Sequence, residues 1–187
     1  NYDVPHTIGK VIVFYCNFDV LLRAFAYILT VGAEGLERIS EISVLNANYL
    51  ACRLSKIRGF QIPYGKDKPR KHEFVLSCSP MKSDTGISAK DVAKRLLDYG
   101  LHAPTIYFPL IVDEALMIEP TESFEKEEID RFFEAIKKIS EEAYTQPNVV
   151  LNAPNSTSVG RIDEAKASHP KTMSLSWRMY CKKKNQM

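Results

Sequence analysis

Few of the residues that would tie a sequence quickly to one chemistry are grouped here. The four cysteines, Cys16, Cys52, Cys78 and Cys181, are scattered, with no Cys-x-x-Cys pair and no histidine at ligand spacing. That excludes a disulfide framework and a sequence-local metal site, so the expectation is reduced thiols and no metal. The eight glycines form no Gly-x-Gly-x-x-Gly or P-loop spacing, which leaves a nucleotide phosphate without a cradle. A Gly-x-Ser-x-Gly nucleophile elbow is missing too. Charge of one sign is lacking: 25 Lys and Arg face 23 Asp and Glu, for a net +2. The whole chain therefore gives no argument for nucleic acid or an anionic membrane. The longest apolar run, Val20 to Val31, is interrupted by Arg23 and is too short to span a bilayer. No signal-peptide pattern opens the chain, so a cytoplasmic location is expected. The sequence starts at Asn1 without an initiator Met, as a processed piece would.

What is present is the usage of a globular protein with a core: 187 residues, 45% apolar and 26% charged. From Asn17 to Val31 the apolar positions Val20, Leu21, Ala24, Ile28 and Val31 recur at helical spacing, and Asn17 can cap the first turn. Gly32 and Gly35 make a corner before a second helix marked by Leu36, Ile39, Leu50, Leu54 and Ile57 and ended by Gly59. Val11 to Tyr15 reads as a strand or an ordered approach to the first helix. Pro63 to Lys71 is a basic loop, His72 to Cys78 alternates like a half-buried strand, and Ser79 to Ile87 is a second loop. Ser88 caps a helix with Asp91 at N3 and Gly100 beyond its end. Thr105 to Phe108 and Ala115 to Ile118 are strand-length, and Pro120 stops the second. Ser123 caps a last helix with carboxylates in its first turns and a stripe of Ile129, Phe132, Phe133, Ile136, Ile139 and Ala143. A Pro/Asn/Ser tail from Gln146 closes on a basic end at Lys182 to Lys184. There the Asn155-Ser156-Thr157 acceptor pattern is read as a polar turn. The fold class is α/β, in the sense of an α+β small domain, divided as 1–16 connection, 17–145 domain and 146–187 tail.

Three joints place polar groups against structure. His72 and Glu73 open a strand, where the structural alternative is a solvated strand end. Asp98 to Thr105 turns a helix directly into a strand, a place where sites are built as well as an ordinary turn. Glu119 to Ser123 ends an apolar strand with a carboxylate.

Taken in order, several blocks resemble one family. They are Ile8-Gly9-Lys10-Val11, Leu45-Asn46-Ala47-Asn48-Tyr49-Leu50, His72 to Leu76, Ala93 to Gly100, His102-Ala103-Pro104-Thr105, Tyr107-Phe108-Pro109-Leu110 and Met117 to Ser123. Together they are similar to glycine decarboxylase, the P-protein of the glycine cleavage system, and most of all to its separate C-terminal subunit 2. The likeness runs from about Tyr2 to Trp177; Cys16 and Asp19 stand where the family commonly has glycine, and the segment from Arg178 has no counterpart. The resemblance implies the C-terminal domain of the aspartate-aminotransferase-like fold of enzymes that use pyridoxal phosphate. It implies decarboxylation of glycine on that cofactor, with transfer of the aminomethyl group to the lipoyl arm of the H-protein. The partners it implies are glycine, H-protein, P-protein subunit 1 and a second copy of the complex. In that family the cofactor lysine lies in a His-Lys motif upstream of the Ile-Gly-Lys-Val block. Lys71-His72 has the reverse order, so no catalytic residue is assigned to this chain and it is expected to be inactive alone. His102 and Thr105 are the first candidates for the substrate cleft, His72 and Glu73 the second. Glu119, Thr121 and Ser123 are expected to be structural, as a cap and buried hydrogen-bonding groups. The alternatives are a stand-alone α/β interaction module and the small domain of another pyridoxal-phosphate enzyme, such as a cysteine desulfurase.

Overall fold

A computed structural model describes residues 5–6, 17–65, 68–170, 172–173 and 176–185; the expected Val11 to Tyr15 strand, Cys16 and the Ile-Gly-Lys-Val block lie outside them. The chain forms two compact units, Asn1–Ile42 and Ser43–Met187.

Within the first unit, helix α1 (Phe18–Leu54) starts where Asn17 Oδ1 accepts the Asp19 N–H at 3.0 Å. Gly32, at φ 66 and ψ −175, breaks its geometry, so the two expected helices meet end to end at a glycine kink. The apolar positions Val20, Leu21, Ala24 and Ile28, whose spacing indicated this helix, are exposed.

The second unit holds the core. Strand β1 (Phe74–Ser77) and strand β2 (Thr105–Ile106) flank strand β3 (Ala115–Ile118), all antiparallel, in the order β1-β3-β2. Phe74 pairs with Ile118 and Thr105 with Met117. Around the sheet lie α2 (Ser79–Thr85), α3 (Ala89–Asp98), α4 (Lys126–Thr145) and α5 (Pro147–Leu151). One hydrophobic cluster joins Leu50 and Leu54 of α1, Leu76, Leu116, Val92, Leu96, Ile136, Ile139 and Val150. Two short helices follow, α6 (Glu164–Ser168) and α7 (Trp177–Lys184).

Four expectations change. Ser79 to Ile87 is not a loop but contains α2: Pro80 suits a first helical turn, Met81 is buried, and Gly86 ends the helix at φ 79. The strand from Thr105 stops at Ile106 because Tyr107 takes φ 59. Ser123 does not cap the last helix; α4 begins at Lys126 with Glu125 in the cap position and Glu128 closing a capping box. The segment after Gln146 is not all extended, since α5 follows at once and buries Val150, and Ala153 just beyond it is buried too. The compact units divide within α1. Gly59 is required by packing as well as conformation, for at φ 83 a Cβ would stand 2.9 Å from Met81 Cβ.

Candidate functional site

The joint between α3 and β2 is built to be rigid. Its entry is a Schellman turn: Gly100, at φ 67, donates its N–H to Leu97 O at 3.0 Å, and Leu101 donates to Leu96 O at 3.1 Å. The next four residues, His102-Ala103-Pro104-Thr105, lead straight into β2.

Charged groups fix both ends of α3. At its start, Ser88 and Asp91 form a full capping box. Glu114, buried in the β3 approach, adds a second carboxylate by accepting the Ala89 N–H at 2.6 Å and pairing with Lys82. Arg161 reaches the other Asp91 oxygen at 2.6 Å. At the far end, Arg95 holds Glu142 of α4 through Nε at 2.9 Å and Nη2 at 2.8 Å, and Asp98 through Nη1 at 2.9 Å. Tyr99 donates its hydroxyl to Glu142 at 2.8 Å. Asp98 also accepts the backbone N–H groups of Asn155 and Ser156, each at 2.7 Å, and the Ser156 hydroxyl at 2.8 Å. The Asn155-Ser156-Thr157 segment is thus a polar turn latched onto α3. Burial pushes the Asp98 carboxyl upward, but the donations from Ser156, Arg95 and Asn155 outweigh it and hold the group below the usual carboxylate range. Burial likewise opposes the ionisation of Glu142, but the hydrogen bonds from Arg95 and Tyr99 outweigh it and hold this carboxyl low as well.

Beside this joint lies a cavity of about 350 Å³, within the size range of small-molecule sites. Leu50 of α1, His102 to Thr105, Met117 to Pro120, and Phe124, Glu128, Ile129, Arg131 and Phe132 of the α4 region line it. The pairing of Thr105 with Met117 puts both on one face of the sheet. Arg131 donates to Tyr99 O at 2.9 Å and ties α4 to the joint.

Of the residues singled out in the sequence, His102 and Thr105 line this cavity together with Glu119, whereas His72 and Glu73 do not. His72 stands at its edge, 3.9 Å from Glu119. Glu119 is half exposed rather than buried, because it lies one residue beyond the end of β3. Thr121 and Ser123 share a hydroxyl hydrogen bond of 2.7 Å, and Thr121 O accepts the Asn46 amide at 3.0 Å. Asn48 clamps Arg70 by both backbone groups, at 2.8 and 2.7 Å, and the Tyr49 hydroxyl donates to Asp130 at 2.6 Å. The Leu-Asn-Ala-Asn-Tyr block therefore fastens α1 to the Thr121 loop beside the cavity, to the approach to β1 and to α4. Sequence reading missed Glu128 and Arg131, which carry charge to the cavity from the α4 face that also supplies Ile129 and Phe132. Their signal was the i, i+3 spacing of Glu128 and Arg131 themselves, with Glu128 at i, i+4 to Phe132.

Cys78 is buried, and desolvation, with the negative charge of Glu114, pushes its thiol up to about 12, which keeps it protonated and unreactive. Among the described residues no group of three His, Cys, Asp or Glu side chains is placed to hold a metal ion. No lysine lines the cavity. The described residues around this cavity consequently do not fit a Schiff-base site for pyridoxal phosphate.

A three-stranded antiparallel sheet with packed helices, and a cavity at a helix-to-strand joint, define a small α/β lobe with a candidate small-molecule site. A crystal structure of glycine decarboxylase (P-protein) of the glycine cleavage system, in inhibitor-bound form, matches the fold with a TM-score of 0.57 at 24% identity, over 68% of this chain and 28% of that one. The profile of the family "Glycine dehydrogenase, C-terminal domain" matches residues 39–157, and the chain belongs to that family. Its curated relatives include proteins named "Probable glycine dehydrogenase (decarboxylating) subunit 2". That of Pyrococcus abyssi is 57% identical over 180 residues, 96% of this chain and 35% of the relative. That of Chlorobium phaeobacteroides is 54% identical over 168 residues, 90% of this chain and 34% of the relative. The chain spans about a third of the length of the curated relatives it matches.

Proposed function

We propose that the chain is the C-terminal portion of a glycine decarboxylase subunit 2 and supplies one wall of its glycine cleft. The observation that carries this reading is the 57% identity over 96% of the chain, with the His-Ala-Pro-Thr joint lining the cavity.

Thr105 offers a hydroxyl donor and His102 an imidazole to a small zwitterion at the cavity mouth. Arg131 adds positive charge for a carboxylate, and Glu119 and Glu128 add negative charge for an ammonium group. The apolar walls, Leu50, Met117, Ile129 and Phe132, exclude water and strengthen those contacts. Thr121 and Ser123 hold the loop, and His72 and Glu73 stand in a second rank. Pyridoxal phosphate belongs on the remaining polypeptide, where it supplies the electron sink for loss of carbon dioxide. The lipoylated H-protein, subunit 1 and a second copy of the complex are the partners this assignment entails. So is a cytoplasmic location; no helix among the described residues is long and apolar enough to cross a membrane.

The test is exchange of the glycine carboxyl carbon with bicarbonate, measured on the full-length polypeptide with subunit 1, H-protein and cofactor. Thr105→Val and His102→Ala are each expected to lower kcat/KM for glycine by about tenfold or more, the loss of one charge-assisted contact. Values within twofold of the unmodified enzyme for both variants would remove this wall from the cleft.

A further inference from the structure

The loop between β2 and β3 is apolar where turns are ordinarily polar. From Phe108 to Val112 it carries no charged or hydroxyl side chain. Leu110 is 87% and Ile111 77% exposed, and Tyr107 and Phe108 are exposed beside them.

This tip stands on a fixed base. Tyr107 donates its N–H to Ala115 O at 2.9 Å, Val112 donates to Pro109 O at 3.0 Å, and Val112 itself is buried. The Ser77 hydroxyl donates to Asp113 O at 2.7 Å, and Cys78 donates its N–H to Glu114 O at 3.0 Å. Tyr107 at φ 59 and Glu114 at φ 50 bracket the loop in the left-handed region, where non-glycine side chains are strained. Strain of this kind persists where the surroundings over-determine it, and it gathers at clamps and contact sites. Here the Glu114 carboxylate, tied to Lys82 and the Ala89 N–H, supplies that determination. Held backbone and exposed large aliphatics together describe a pre-formed contact surface rather than a solvated turn.

We propose that the Tyr107–Ile111 tip docks onto the part of the polypeptide that the relatives carry and this chain does not span. That part is about two thirds of the relatives' length, and because it is tethered to the tip through one chain, docking it is intramolecular, which favours it over a second copy as the occupant. Thr105 lies only two residues before Tyr107, so docking the tip also seats the cavity-lining joint against the same partner surface. The inference rests on the assignment of this chain to the C-terminal portion of a longer subunit.

The experiment uses the full-length polypeptide carrying Leu110→Cys, with modification by a small maleimide followed at the 105–115 peptide by mass spectrometry, so that native thiols do not interfere. In the native protein the reaction is expected to be at least about tenfold slower than in urea. A photo-crosslinker on the same thiol should then join peptides from outside the 187 residues of this chain. Native labelling within twofold of the unfolded rate would overturn the proposal. So would crosslinks confined to peptides of these 187 residues, or protection that vanishes on dilution, which would mark a second copy as the occupant. A protected tip in a polypeptide that fails to exchange glycine with bicarbonate would leave the docking intact and reject the catalytic assignment instead.

Discussion

Helix α4 and the first half of α1 carry the same kind of apolar stripe and meet opposite fates. In α4, Ile129, Ile136, Ile139 and Ala143 are buried in the core cluster. In α1, Val20, Leu21 and Ile28 repeat at similar spacing and remain exposed. Periodicity states that a helix face is made for burial; it does not state against what. The α4 stripe meets its partners within this chain. The α1 stripe, like the Tyr107–Ile111 tip, presents a surface without a described cover, as expected of a chain that spans a third of its relatives' length.

Substitutions at matched positions sharpen that contrast. Ile136→Ala, fully buried in α4, should cost about 2–5 kcal/mol of stability through lost contacts and the cavity left behind, read as a shift of the urea midpoint. Next in size, Glu114→Ala should cost about 2 kcal/mol, because it strands the Ala89 N–H and removes the counterion of Lys82. Thermal unfolding would show it, and Glu114→Gln should recover part of the loss.

The pH dependence follows from the α3 latch. Asp98 and Glu142 are both held below their ordinary range, so their stabilisation is fully present above the pKa of an unfolded carboxylate, about 4. It is lost as pH falls through the lowered native values. Stability measured from pH 5 downward should therefore decline, and Asp98→Asn should flatten the decline while lowering the plateau by about 1 kcal/mol. An unchanged acid limb would show that the latch to Asn155 and Ser156 is not formed. The smallest effect belongs to Ile28→Ala, which on this exposed face should change the stability of this chain by less than about 0.5 kcal/mol. A loss as large as that of Ile136→Ala would break the comparison, for it would mean the α1 stripe is already covered.

Much of the fold was legible where one local rule spoke alone. Ser88 with Asp91, Gly100, the Ala115 to Ile118 strand and the α4 stripe all stand as their spacing indicates. Elements decided by longer contacts were not legible. Met81 draws Ser79 to Thr85 into a helix by burial, and Val150 draws the start of the tail into the core. For the cavity, the sequence offered His102 and Thr105 as polar residues at a helix-to-strand joint. Arg131 and Glu128 were hidden, because a charged residue on an amphipathic helix looks solvated until its neighbours are known. Glu119 was expected to be buried, but one residue past a strand end it turns outward to His72 instead.

The most direct measurement is the length and activity of the native polypeptide, obtained from its intact mass and its glycine–bicarbonate exchange. The account predicts a subunit nearly three times as long as this chain, in proportion to the 35% coverage of its relatives, and exchange that depends on His102 and Thr105. A native protein near 21.2 kDa with no larger subunit bound and no glycine exchange in any mixture would contradict it.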